Sequence, residues 1–282
     1  GTIHPGADDN ASGISVLLEI ARNLAESLSP DRNILFIAFT GEENRLMGSE
    51  YFLKQYKRFP VNKIMGVVNL DTVGRLDGKK PLVIGSSSAQ EWKFIFMGVG
   101  YTTGIESDLI QQDLDASDQV TFIQAGIPAI QLFSGPHLDY HKPSDTPDKV
   151  DYEGLVKIAE ITKEIIVYLS EREEPMTFTG TRQTHPAGPA AEKQDARASI
   201  GIMPDFSYSS GGVMVGAAMK SPDGKDHVLL KGDIIVAIGG KEVSDLRTYS
   251  AELKNYSPGQ EVEITFLRSG KEIKAVITMR QR

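Results

Sequence analysis

Cysteine is absent from the 282 residues. That excludes disulfides, thiolate zinc sites and cysteine nucleophiles together. Long apolar runs are also missing. The longest, Ile34 to Phe39 and Val213 to Met219 with its glycine, fall far short of the ~20 residues a membrane-spanning helix needs, so no transmembrane segment is expected. Nor is there an excess of positive charge: 30 Lys and Arg face 38 Asp and Glu, for a net charge of −8. Without clustered basic residues to neutralise phosphates, nucleic-acid binding is not expected. No signal peptide is visible, because Gly1-Thr2-Ile3-His4-Pro5 has neither a basic start nor an apolar core. The chain has no initiator Met, and residue 1 reads as an internal cut. What is present, 40% hydrophobic and 24% charged residues, is the composition of a globular protein of one large or two ordinary domains.

The charge is unevenly placed. Residues 1–172 hold 16 Lys and Arg against 24 Asp and Glu, whereas residues 173–282 hold 14 of each. An acidic first part without a basic stripe suits a site that gathers carboxylates around metal cations.

The first part alternates helical and strand-like segments. Ile14, Leu17, Leu18, Ala21 and Leu24 follow helical spacing from Ser12 until Ser29-Pro30. Asn33 to Thr40 is wholly apolar at its centre and predicts a strand buried on both faces. A helix over Met47 to Tyr56, a strand over Ile64 to Leu70, a strand at Leu82 to Gly85 and a helix around Ala89 to Gly98 follow. Ser117 to Ala125 reads as a helix, Ile127 to Phe133 as a strand and Asp151 to Glu171 as a long amphipathic helix. Such alternation implies crossover connections: an α/β fold whose mostly parallel sheet carries helices on both faces. Residues 173–198, with scattered Pro and Gly and no period, read as a linker. From 199 to 282 short β-type runs dominate: Ile200 to Met203, Gly212 to Ala217, Asp233 to Ile238, Glu261 to Leu267 and Glu272 to Met279. A helix near Asp245 to Asn255 interrupts them, and Ser269-Gly270 stands where a hairpin turn belongs.

Four features of the first domain sit where a strand ends or a helix begins, the edge at which ligands bind in open α/β sheets. Asp8-Asp9-Asn10 precedes the first helix, and Glu42-Glu43 follows the Asn33 to Thr40 segment. Asp71 closes the strand from Ile64, and His141 lies in the loop after Phe133. Singly, these read as a helix cap, a solvated turn, an ordinary turn residue and an exposed loop histidine. Brought together, the carboxylates would repel one another unless a cation held them, and carboxylate oxygens with an imidazole nitrogen are good zinc ligands.

Four segments, in order, carry a resemblance: His4-Pro5-Gly6-Ala7-Asp8-Asp9-Asn10-Ala11-Ser12-Gly13, Phe39-Thr40-Gly41-Glu42-Glu43 with Gly48-Ser49, Asn69-Leu70-Asp71, and Tyr140-His141-Lys142-Pro143-Ser144-Asp145-Thr146. Over residues 1–170 the sequence resembles the zinc-dependent exopeptidases of metallopeptidase family 28, which includes bacterial leucyl aminopeptidases and is related to glutaminyl cyclases and glutamate carboxypeptidases. The resemblance implies two zinc ions bridged by Asp9, one completed by Glu43 and His141 and the other by Asp71. It implies a cis peptide after Asp9, Glu42 as general base, and Tyr140 as a donor to the tetrahedral oxyanion. Ser117-Asp118 resembles an element found near the family's site. The substrate implied is a peptide with a free N-terminus, and the location implied is outside the cytoplasm. One departure stands out: the family's second zinc also takes a His from an upstream H-x-D motif that this chain lacks. The family's first strands are missing as well, and His4 reads as an ordinary loop residue.

Residues 199–282 resemble a bacterial protease-associated PDZ domain. Ser199-Ile200-Gly201-Ile202 matches its carboxylate-binding loop, with Ser for the first Gly, and Gly232 to Gly240 matches its central strand and turn. This implies binding of a C-terminal peptide by strand addition. Three functions follow as expectations: a two-zinc aminopeptidase, a single-zinc glutaminyl-cyclase-like transferase, or a non-catalytic peptide-binding protein acting through the second domain.

Overall fold

A computed structural model describes residues 2–56, 60–110, 117–182, 198–219 and 227–281. These residues divide into two compact units: one holds everything up to Gly135 and from Asp139 to 182, the other holds Pro136–Leu138 and the residues from 198 onward.

The first unit is built on four strands, β1 (Val67–Leu70), β2 (Leu82–Ile84), β3 (Asp108–Leu109) and β4 (Ala129–Phe133), in the order β1-β4-β2-β3. The β1–β4 and β2–β3 pairs are parallel and β2–β4 is antiparallel. Five helices complete the unit: α1 (Gly13–Ser27), α2 (Met47–Gln55), α3 (Trp92–Thr103), α4 (Gln119–Gln124) and α5 (Tyr152–Glu171). Helices α1, α3 and α5 cover one face. Val16, Ile20 and Leu24, Trp92, Ile95 and Val99, and Ile158, Ile161 and Ile165 pack there on Val83, Ile130 and Leu132. The other face is thinner, with Phe122 of α4 and Phe52 of α2 against Val67, Ala129 and Phe39. Alternation along a strand explains the division, since Ile130 and Leu132 point one way and Ala129 the other.

Two expectations need correction. The buried stripe of α1 is Val16, Ile20 and Leu24, while Ile14 and Leu18 are exposed. Both stripes satisfy helical spacing, and the close approach of Gly13 to the Leu70 carbonyl selects between them; a Cβ at Gly13 would strike that oxygen. Second, residues 33–40 form no strand. Ile34 and Phe36 pack on the α1–α5 side and Phe39 on the Phe52–Phe122 side. The run is therefore hydrophobic on both sides without ladder partners among the described residues.

Residues 173–182, read from sequence as the start of a linker, pack on the first unit. Met176 is buried, Phe178 bridges to Ala89, and the Thr177 N–H donates to the Glu91 carboxylate. Residues 183–197 of the expected linker lie outside the described residues.

The second unit carries β5 (Ala198–Ser199), β6 (Ile202–Pro204), β7 (Val213–Ala218), β8 (Ile234–Ile238), β9 (Lys241–Glu242), α6 (Leu246–Leu253), β10 (Glu261–Arg268), β11 (Lys271–Thr278) and β12 (Arg280–Gln281). Its antiparallel sheet runs β11-β10-β8-β7-β6, with β9 on β8 and β12 paired separately to β5. Ser269 and Gly270 both take positive φ in the β10–β11 turn, as a tight hairpin requires. Asp245 caps α6, its carboxylate accepting the Thr248 N–H at 2.7 Å.

Candidate metal centre

Asp9 stands in a short turn, Ala7–Ser12, that feeds α1. The turn is held from across the chain. The Asp145 carboxylate accepts the N–H groups of Asp8 at 3.0 Å and Asp9 at 3.1 Å, and Asp8 in turn accepts the Gly74 N–H. The Asp9–Asn10 peptide is cis, as the family resemblance implies. Asn10 ties the turn to the end of β1, donating to the Leu70 carbonyl at 2.8 Å and accepting the Thr72 N–H at 3.3 Å.

Glu42 and Glu43 lie in a turn closed by the N–H groups of Leu46 and Met47 on the carbonyls of Glu42 and Gly41. Ser49, fully buried at the start of α2, donates to Asp118 and also contacts Thr121 Oγ1 at 3.0 Å, fixing this turn against α4. Asp71 ends β1. The next residue, Thr72, has a φ of 58°, strained for a β-branched side chain. Its backbone is pinned by Asn10 and by the Ser134 N–H and hydroxyl.

His141 comes from the loop after β4. Its Nε2 lies 2.6 Å from Glu43 Oε1 and 3.0 Å from Asp9 Oδ2, and the three ligand atoms all fall within 4.8 Å of one another. Two carboxylate oxygens and an imidazole nitrogen drawn from three distant segments form a donor set that fits zinc. With the imidazole standing in for a cation, burial works against its charge. The bonds to Asp9 and Glu43 prevail and push its pKa up to about 9. The Tyr140 ring stacks on His141 at 3.8 Å between centroids.

Asp71 stands outside the three-ligand group. Burial and the charge of Asp9 push its pKa up to about 6, against hydrogen bonds from Ser117 and Thr72. Glu42 faces the same field: burial first, then the charges of Asp71, Glu43, Asp118 and Asp9, raise its pKa to about 7. His4 borders the same cavity as Asp9, Glu43, His141, Lys142 and Asp145 but lies outside the ligand group. The motifs contained Asp145 without revealing its task, because its bonds to backbone N–H groups 136 and 137 residues away leave no spacing to read.

In the second unit the Ser199–Ile202 loop turns at Gly201, whose φ is 82°. The Gly201 N–H donates to Ser199 Oγ at 3.0 Å. His227 Nε2 donates to the Ile200 carbonyl at 2.9 Å, while its Nδ1 accepts the Leu229 N–H at 3.0 Å. Ile200 and Ile202 are buried, and β6 is the outer strand of its sheet.

A carboxylate–histidine cluster carried on loops beside a mostly parallel α/β sheet is an architecture that metallohydrolases use, and the sequence profile of peptidase family M28 matches residues 1–166. The chain belongs to that family. A PDZ domain profile matches residues 198–279. Aminopeptidase YwaD of Bacillus subtilis is 32% identical over 198 residues, covering 62% of this chain and 40% of that protein. BSAP, a zinc aminopeptidase from Bacillus subtilis, superposes with a TM-score of 0.55 at 27% identity, over 60% of this chain and 43% of that one. The aminopeptidase from Aneurinibacillus sp. strain AM-1 gives 0.54 at 27% identity, over 64% and 44%. The chain thus spans less than half the length of these three relatives.

Proposed function

We propose that the first unit is the catalytic part of a zinc aminopeptidase that removes N-terminal residues from peptides. The observation that carries this reading is the convergence of Asp9, Glu43 and His141 within 4.8 Å on the family's fold. In this reading those three residues hold one zinc, and Asp9 with Asp71 serves a second. Zinc, when bound, polarises the scissile carbonyl and acidifies water. Glu42 takes a proton from the attacking water and returns it to the leaving amine. In the metal-free site, burial and the neighbouring carboxylates raise its pKa to about 7. Tyr140, whose ring stacks on His141, donates to the oxyanion in this reading. In the second unit, the outer strand β6 and the Ser199–Ile202 loop support docking of a peptide C-terminus.

One preparation tests the reading: zinc per chain after dialysis against zinc-free buffer, together with assays on an N-terminal leucine peptide and an N-terminal glutamine peptide. Bound zinc with release of leucine supports the aminopeptidase. Cyclisation of the glutamine peptide would instead favour the transferase. Binding of C-terminal peptides with neither reaction and no metal would leave only the peptide-binding role.

A further inference from the structure

Beneath Asp71 lies a closed ring of polar side chains on a face that is otherwise apolar. Parallel pairing of β1 with β4 sets Asn69 opposite Gln131, and two-residue alternation puts both on the face covered by α4. The first residue of α4, Gln119, closes over them. Gln119 is 1% and Gln131 3% exposed. Their neighbours one step away on the same face, Val67 and Ala129, belong to the apolar cluster with Phe122.

The hydrogen bonds fix every amide in one orientation. Asn69 Nδ2 donates to Gln119 Oε1 at 3.1 Å and to Ser117 Oγ at 2.8 Å. Gln119, its oxygen so engaged, donates through Nε2 to Gln131 Oε1 at 3.1 Å. Gln131 is then left to turn its own Nε2 toward the Asp71 carbonyl, at 3.4 Å. Ser117, accepting from Asn69, has its hydroxyl proton free for the Asp71 side chain, to which it donates. Both ends of the ring therefore land on one residue, one on its carbonyl and one on its carboxylate. Burying amides on an apolar face costs free energy that leucine at the same positions would not, so a purely packing role leaves their presence unexplained.

We propose that Gln119 and Gln131 are positioning residues for Asp71, holding its backbone and, through Asn69 and Ser117, its carboxylate in the orientation that the second metal position requires. This rests on the reading of Asp71 as a ligand of that position. Asp71 has strained backbone immediately after it, at Thr72. Such a group keeps its aim only if the surrounding structure imposes it.

The test is cobalt(II) titration of the metal-free chain, followed by visible absorption, for the parent, Gln131→Met, the double variant Gln119→Met with Gln131→Met, and Asp71→Asn. Replacing both partners of a buried hydrogen bond by apolar groups of similar size spares the fold, and thermal unfolding verifies it. The expected result is two metals in the parent and one in Asp71→Asn. In folded Gln131→Met and the double variant, the first metal binds as in the parent and the second about ten- to a hundredfold more weakly. Parental affinity for both metals in the folded double variant, with Asp71→Asn still losing one, overturns the positioning role alone. Two metals in Asp71→Asn, or one in the parent, overturns the ligand role of Asp71 and this proposal with it.

Discussion

Glu42 and Glu43 are neighbours with different surroundings, and that difference predicts different consequences of mutation. Glu43 lies 2.6 Å from His141 within the three-ligand group, whereas Glu42 stands among four negative groups with its pKa raised to about 7. Glu42→Gln removes the base without removing a ligand. The expected outcome is a fall in kcat of about 10²- to 10⁴-fold with zinc content unchanged, read by peptide hydrolysis and elemental analysis. His141 gives a second prediction. Its metal-free pKa, about 9, lies above pH 7.5, so the ring is charged there; zinc requires the neutral imidazole. Zinc binding at pH 7.5 should therefore release about one proton from this ring, measurable by calorimetry in buffers of different ionisation enthalpy. The acids and the histidine were legible in the sequence because each stands in a local motif. The residues that aim them were not. Asp145, Asn10, Gln119 and Gln131 act through bonds between segments far apart in the chain, and nothing in their spacing announces a partner.

Among the elements, those with strong periodicity came through and those defined by partners did not. Helix α5 and the strands β4, β10 and β11 fall close to where their patterns place them. The run from Asn33 to Thr40 carries the composition of a buried strand, yet a strand exists only through its ladder, and composition cannot report the neighbour. The loop at Ser199–Ile202 was legible as a motif, but its support by His227 was not, since that contact joins residues 27 apart. This support has a pH signature. Burial lowers the pKa of His227 below 6.5, with the charge of Arg280 adding to the effect. For a histidine held neutral in the fold, the unfolded chain takes up the proton first as pH falls. Its contribution to stability is thus present above pH 6.5 and is lost progressively as the pH drops below that value. Urea unfolding followed at second-unit amide resonances should show stability falling from pH 7.5 to pH 5 in the parent. In His227→Asn the same fall should be shallower.

At the scale of the molecule, the acidic half and the neutral half coincide with units of different chemistry. The net charge of −8 belongs to residues 1–172, where carboxylates are gathered around a centre that a divalent cation would neutralise. Metal should therefore stabilise one unit and leave the other unchanged. In a calorimetric scan, zinc at a hundredfold excess over its Kd should add about 2.7 kcal/mol to the first unit, raising its transition alone, and chelation should reverse the gain. The two-part organisation was legible as a change of texture along the chain. The packing of Met176 and Phe178 on the first unit was not, because that segment has no period and is held by bonds to Glu91 and Ser88 and a bridge to Ala89, all distant in sequence.

Asp9, Glu43 and His141 also define a topology. An ion held by all three closes one loop from residue 9 to residue 43 and another from residue 43 to residue 141, so most of the first unit lies inside rings that only dissociation of the ion can open. A chain without cysteine has no disulfide with which to make such a crosslink. The metal-free chain, its rings undone, is therefore the form that proteases would cleave first.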